Sequence, residues 1–143
     1  MAGFAELAKR EPKILLVEQS ADSVGPDFPY SGEKLSPVLT FYTVPDFDAC
    51  ASLVARIYQW QGAGHSVGLH TMRPERAMQL GLTLPVSRVI VSQAHCIAVG
   101  GSFDNGLPFS LSMGCGTWGG NNFSENMNYK HYLNITRIAE PIP

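Results

Sequence analysis

The chain has 143 residues, 45% of them apolar and 15% charged, with 14 glycines, 10 prolines and a formal charge of -2. That is the size and balance of one globular domain able to bury its own core, and it excludes a fibrous or disordered chain. A near-neutral charge with no basic stripe excludes a nucleic-acid partner, and no apolar run reaches the length of a membrane span.

In chain order, Ala5 to Arg10 reads as the first turn of a helix and leads through Pro12 into "KILLVE". The continuous apolar run Ile14 to Val17 predicts a strand buried on both faces, as in a parallel sheet. "SADSVGPDFPYSGEK" is then a long crossing loop, rich in turn residues. "SPVLTFYTV" is a second strand, with Pro37 tolerable only at its start. In "PDFDACASLVARIYQW", Phe47, Cys50, Val54 and Ile57 recur at helical spacing and Asp46 is placed to cap the helix. Gly62 and Gly64 stop it.

"HSVGLH" supplies a short strand, and "RPERAMQLG" a short helix with Pro74 in its first turn and Gly81 at its end. "SRVIVS" is the next buried strand. This alternation predicts an α/β fold with a mostly parallel sheet, whose ligands bind beyond the carboxyl ends of strands. From Gln93 to Asn122 glycines abound without a sustained period, and such irregular backbone must lie against something to satisfy its polar groups. Ser124 is read as the cap of a short helical stretch, and "NITRI" as a terminal strand open to pairing with another chain.

Cys50, Cys96 and Cys115 match neither a CxxC pair nor a zinc spacing, so they read as reduced thiols. With no apolar leader in "MAGFAELAKREPK", the expected compartment is the cytoplasm. His70, His95 and His131 fit no metal motif, and no metal is expected. There is neither a GxGxxG fingerprint after a strand nor a GxxxxGK[ST] loop.

Five residues invite chemistry. Cys115, in "MGCGTWGGNN", is either a nucleophile on a glycine loop or a small apolar filler where backbones crowd. Cys96 and His95 would point to opposite faces of a strand and need not form a couple. His65 starts a short strand, where an imidazole can face a cleft or sit satisfied in the structure. Glu33 ends the long loop, either accepting hydrogen bonds from ligand hydroxyls or remaining solvated.

Three blocks then carry a specific resemblance: "SGEKLSPVLTFYTVPDFDACASLVARIYQWQGAGHSVGLHT", "SRVIVSQA" and "FDNGLPFSLSMGCGTWGGNNFSENMNYKHYLNITRI". In this order they resemble the C-terminal portion of the CoA-acylating aldehyde dehydrogenases, from about Lys13 to Ile138. The resemblance implies residues 1–133 as a partial catalytic domain and 134–143 as an oligomerisation strand with its tail. It implies NAD or NADP and coenzyme A as cofactors of the parent enzyme, with binding by this chain alone in doubt.

By the same resemblance, Glu33 matches the glutamate that holds nicotinamide-ribose hydroxyls and Leu35 the residue beside the nicotinamide. His65 matches the histidine near the catalytic thiol, an auxiliary role. Phe109, Cys115 and Trp118 match the wall of the substrate side. The family's nucleophilic cysteine lies upstream of these blocks, so no catalytic residue is expected here and the isolated chain is expected to be inactive. The expected partners are further copies, or a chain supplying the remaining dehydrogenase portion. Two alternatives stand beside this reading: a non-catalytic assembly or regulatory protein that pairs with full-length homologues, and an independent cysteine hydrolase or transferase using Cys115 with His65.

Overall fold

The computed structural model describes residues 9–143, which form two compact units, one ending at Gly62 and one running from Ala63 to Pro143. Most of the helical turn expected over Ala5 to Arg10 lies outside the described residues. Among the described residues no helix is long and apolar enough to cross a membrane.

In the first unit, β1 (Leu15–Gln19) pairs in parallel with β2 (Val38–Tyr42), Leu15 opposite Val38 and Gln19 opposite Tyr42. Parallel pairing demands a long return of the chain. Here the return is mostly loop, with a 3-10 turn at Pro29–Ser31. The loop is tied down by side chains: Thr40 Oγ1 donates to Tyr30 O at 2.6 Å, Arg56 Nη2 to Ala21 O at 2.6 Å, and the buried Ser31 Oγ to Phe28 O at 2.8 Å. Helix α1 (Phe47–Gln61) begins as expected, with Asp46 Oδ1 accepting from Ala49 N at 2.8 Å, and its C-cap is Gly62. Its most deeply buried residue is Leu53, whereas Cys50, expected on the apolar face, is exposed.

β1 departs from the expectation of a strand buried on both faces. Burial alternates along β1 and β2, and Leu16 and Leu39 are 65% and 58% exposed, with Phe41 beside them at 40%. A continuous apolar run is covered twice only where a layer lies on each side of the sheet. The alternating burial shows one face of this pair open among the described residues.

Among the described residues, the second unit holds every buried apolar side chain except Leu53. β3 (Val67–Leu69) and β4 (Val89–Val91) pair in parallel, Val67 opposite Val89, and are joined by α2 (Glu75–Thr83). This is a β-α-β unit with Leu80, Leu84, Val86 and Ile90 inside. Pro74 is the N-cap of α2, but the helix runs past Gly81 to Thr83, because a glycine within a helix weakens it without ending it.

After β4 comes a helix that the sequence reading missed, α3 (His95–Ala98). His95 and Cys96 therefore lie on a helical turn and not on a strand. Ile90, Ala98 and Val99 form a core cluster, against which Leu107 and Met113 pack.

The glycine-rich stretch then folds back on itself. Gly114 N donates to Glu125 O, Gly116 N to Phe123 O and Met127 N to Ser112 O, at 2.8–2.9 Å. This ribbon is what the irregular backbone lies against. The last helical stretch is a 3-10 turn, Tyr129–Tyr132, capped by Asn128 and not by Ser124: Asn128 Oδ1 accepts from Lys130 N while His131 Nδ1 accepts from Asn128 N. Residues 134–143 form no strand within the chain and are exposed.

Candidate functional site

In the first unit, Glu33 and Leu35 sit on the tied-down loop before β2. Glu33 N donates to Gln61 Oε1 at 3.0 Å, which fixes the backbone and leaves the side chain exposed. Leu35 is 95% exposed. An exposed carboxylate can accept hydrogen bonds from the hydroxyls of a nucleotide, and an exposed apolar side chain two residues on can cover its flat ring.

In the second unit the site is built around the carbonyl-rich approach to β3 and β4. Gly64 N donates to Pro85 O at 2.7 Å and Ser87 N to Gly64 O at 2.9 Å, so the segments carrying His65 and Arg88 run side by side. Gly64 has φ +104°. A Cβ there would lie 2.8 Å from both Cys115 Cβ and Gly119 N and would overlap Cys115 O. Only glycine lets the Met113–Asn122 loop press onto this strand approach.

Cys115 is consequently half-buried, packed against Gly64 and Gly119, and its thiol reaches only Met113 O, at 4.0 Å. Among the described residues no base hydrogen-bonds to it. Trp118 lies on the 3-10 turn Thr117–Gly119, 53% exposed, and lines a groove with Gly116, Asn121, Asn122 and Phe123. The structure thus brings Cys115 and Trp118 together on one loop, next to the segment that carries His65. Phe109 is not part of that groove; its ring packs edge-on against Phe103, with centroids 5.1 Å apart.

Three residues that the sequence reading did not single out organise this region. Arg88 is buried, and its guanidinium donates from Nε to Asn126 Oδ1 at 2.7 Å, from Nη1 to Gly114 O and His65 O, and from Nη2 to Ser124 O. Asn126, 1% exposed, donates in turn to Val99 O and Pro108 O, both at 2.9 Å. Among the described residues all the hydrogen-bond acceptors of Arg88 are neutral, and no carboxylate pairs with its charge. The third residue is Ser66, whose Oγ lies 2.6 Å from His65 Nδ1 and 2.8 Å from His95 Nε2.

These surroundings set the electrostatics. Partial desolvation, then the Arg88 charge, hold His65 below the ordinary imidazole value; desolvation, then His65, do the same for His95. Burial also pulls Arg88 down, with the Cys115 sulfur opposing it. The arrangement offers a neutral imidazole in a positive field beside a tightly folded wall, which favours negative charge developing nearby.

No protein-family profile matches the chain. Among curated proteins it is 62% identical over 142 residues to a sulfoacetaldehyde dehydrogenase (acylating) of Cupriavidus necator, covering 99% of this chain and 28% of that protein. It is 45% identical over 130 residues to a sulfoacetaldehyde dehydrogenase of an Acholeplasma species, covering 91% and 26%. To the bifunctional aldehyde-alcohol dehydrogenase of Escherichia coli it is 32% identical, covering 98% and 16%.

Two solved structures superpose on 97% of the chain and on 31% of their own length. A probable aldehyde dehydrogenase from Listeria monocytogenes matches with a TM-score of 0.85 at 34% identity, and an acetylating aldehyde dehydrogenase from Geobacillus thermoglucosidasius with 0.84 at 31%. The chain thus spans about a quarter of the length of the sulfoacetaldehyde dehydrogenases it matches.

Proposed function

From the premise that this chain is homologous to a segment of the acylating aldehyde dehydrogenases, we propose that it supplies the nicotinamide-ribose contacts and the acyl-side wall of such an enzyme. The observation that carries this reading is 62% identity across almost the whole chain to an acylating enzyme. Sulfoacetaldehyde is the first aldehyde to test, since three relatives bear that name.

When bound, NAD(P)+ accepts hydride and coenzyme A accepts the acyl group. The chain's own residues have narrower tasks. Glu33 accepts hydrogen bonds from ribose hydroxyls, and Leu35 covers one side of the nicotinamide. His65 holds or takes up a proton at Nε2 at the reacting centre. Cys115 and Trp118 bound the space that the substrate occupies; Phe109, packed on Phe103, lies outside their groove. None of these supplies a covalent nucleophile, so turnover needs a further stretch of polypeptide.

The test is a chimera in which this chain replaces the matching segment of the Cupriavidus necator relative. We expect aldehyde- and coenzyme-A-dependent reduction of NAD+ or NADP+ by the chimera, and none by the 143-residue chain alone. A folded but inactive chimera, or turnover by the chain alone that depends on Cys115, would sink the reading.

The open face of Leu16, Leu39 and Phe41, together with the exposed residues 134–143, favours a second reading, in which the chain assembles with copies of itself or with a full-length homologue. Light scattering of the chain with and without the relative tests it. A monomer that binds neither counts against it.

A further inference from the structure

Ser66 places its hydroxyl between two imidazoles, and Gly68 makes the second of them fit. His65 Nδ1 is 2.6 Å from Ser66 Oγ, and His95 Nε2 is 2.8 Å from the same atom. His95 comes from α3 and reaches across the face of β3. Its Nδ1 lies so near Gly68 that a Cβ built on that glycine would stand 2.7 Å from it. Gly68 is an ordinary strand position within β3, so the missing side chain makes room for the ring and not for an unusual backbone.

We propose that His95 is a positioning residue that shares one proton with His65 through the Ser66 hydroxyl, and that Gly68 is bare in order to seat the His95 ring. A hydroxyl both donates and accepts, so the three groups form a directed chain. When His65 is protonated, its Nδ1–H donates to Ser66 Oγ and the Ser66 hydroxyl donates to His95 Nε2. Transfer breaks His65 Nδ1–H and forms a bond from that proton to Ser66 Oγ, while the original Ser66 proton passes to His95 Nε2. His65 is left neutral with its proton on Nε2, Ser66 is again a hydroxyl, and the positive charge has moved to His95. No electrons change hands.

The other groups around the pair explain why the transfer helps. The Arg88 charge disfavours a proton on His65, the Cys115 sulfur acts in turn on Arg88, and burial opposes a proton on His95 as well. Moving the charge to His95 takes it off the ring that Arg88 opposes, while Nε2 of His65 keeps a proton to donate. The catalytic use of this device rests on the reading of His65 as the site's imidazole. The coupling itself does not.

The test is nitrogen-detected NMR of the histidine rings in the intact chain, titrated across neutral pH. Rings that interact by about one pH unit or more titrate in shared macroscopic steps. We expect His65 and His95 to show common inflections. Gly68→Ala should displace the His95 ring, abolish the shared step and shift the tautomer of His65. His95→Gln keeps an acceptor for the Ser66 hydroxyl and does not depend on Gly68→Ala folding; it should return His65 to a single-site curve.

A merely structural His95 would change stability in these variants and leave the His65 curve where it was. That result, or independent single-site curves for the two rings in the unaltered chain, overturns the proposal. Because no dehydrogenase activity is read, either outcome leaves the chimera test of the function unaffected.

Discussion

Arg88 Nε donates to Asn126 Oδ1 at 2.7 Å, across 38 positions of sequence, with both side chains buried. This one bond joins the approach to β4 to the far arm of the glycine-rich ribbon. It orients Asn126 so that its amide nitrogen serves Val99 O and Pro108 O.

Asn126→Leu conserves much of the volume but leaves a buried cation short of an acceptor and two carbonyls without their donor. Unpaired buried polar groups cost about 1–3 kcal/mol each, more for a charge. We therefore expect a loss of about 3 kcal/mol or more in denaturant unfolding. A loss below about 0.5 kcal/mol, the range of ordinary surface substitutions, would show that the knot does not hold the unit together.

Gly64→Ala and Gly120→Ala separate crowding from backbone conformation. Both glycines have positive φ, but a Cβ at Gly120 meets nothing within 4 Å, whereas one at Gly64 collides with Cys115 and Gly119. Gly120→Ala should cost about 1–2 kcal/mol, the ordinary left-handed penalty. Gly64→Ala should cost more than this and should also alter Trp118 fluorescence. Equal costs would mean that the loop is not pressed against the strand approach as described.

The pH dependence of stability has a definite sign. His65 and His95 are both held below the ordinary imidazole value, so just below about pH 6.5 the unfolded chain binds more protons than the folded one. Stability attributable to them is present above that pH and is lost as pH falls through their lower folded values. Midpoints of urea unfolding should therefore fall from about pH 7 to pH 5, and His65→Gln with His95→Gln should flatten the slope. A midpoint that rises on acidification, with the slope removed by the same pair of variants, would contradict the assignment.

The three thiols should react in a set order. Cys50 and Cys96 are exposed, while Cys115 is half-buried between Gly64 and Gly119 with no base bonded to it. Iodoacetamide mapped by peptide mass should label Cys115 last. If Cys115 reacts first near neutral pH, the loop holds an activated thiol and the wall reading fails.

What could be read from the sequence was what neighbouring residues decide. The Asp46 cap and the helical spacing after it led to α1, because a cap bonds three residues ahead and a helix repeats within four. The alternation of strand and helix led to parallel pairing, since a parallel return needs a crossing segment. Errors arose where local signals competed. Gly81 has a breaker's identity, yet the helix continues past it; Ser124 and Asn128 both suit a cap, and only Asn128 has His131 three residues on to complete a reciprocal pair.

The site divides in the same way. Glu33, His65, Cys115 and Trp118 could be named from residue type, position and family resemblance. Arg88 could not, because a charge opening an apolar strand has no meaning until its acceptors are known, and those belong to His65, Gly114, Ser124 and Asn126. His95 was set aside because it was assigned to a strand; on a helical turn, its ring meets Ser66 and fills the space above Gly68. By itself the sequence determined the fold class, the capped helix and the homology, all of which depend on patterns contiguous along the chain. Only the tertiary structure decided that Cys115 packs between Gly64 and Gly119 and that Arg88 lies buried among neutral oxygens, since desolvation and close contact are properties of groups that meet in space from distant parts of the chain.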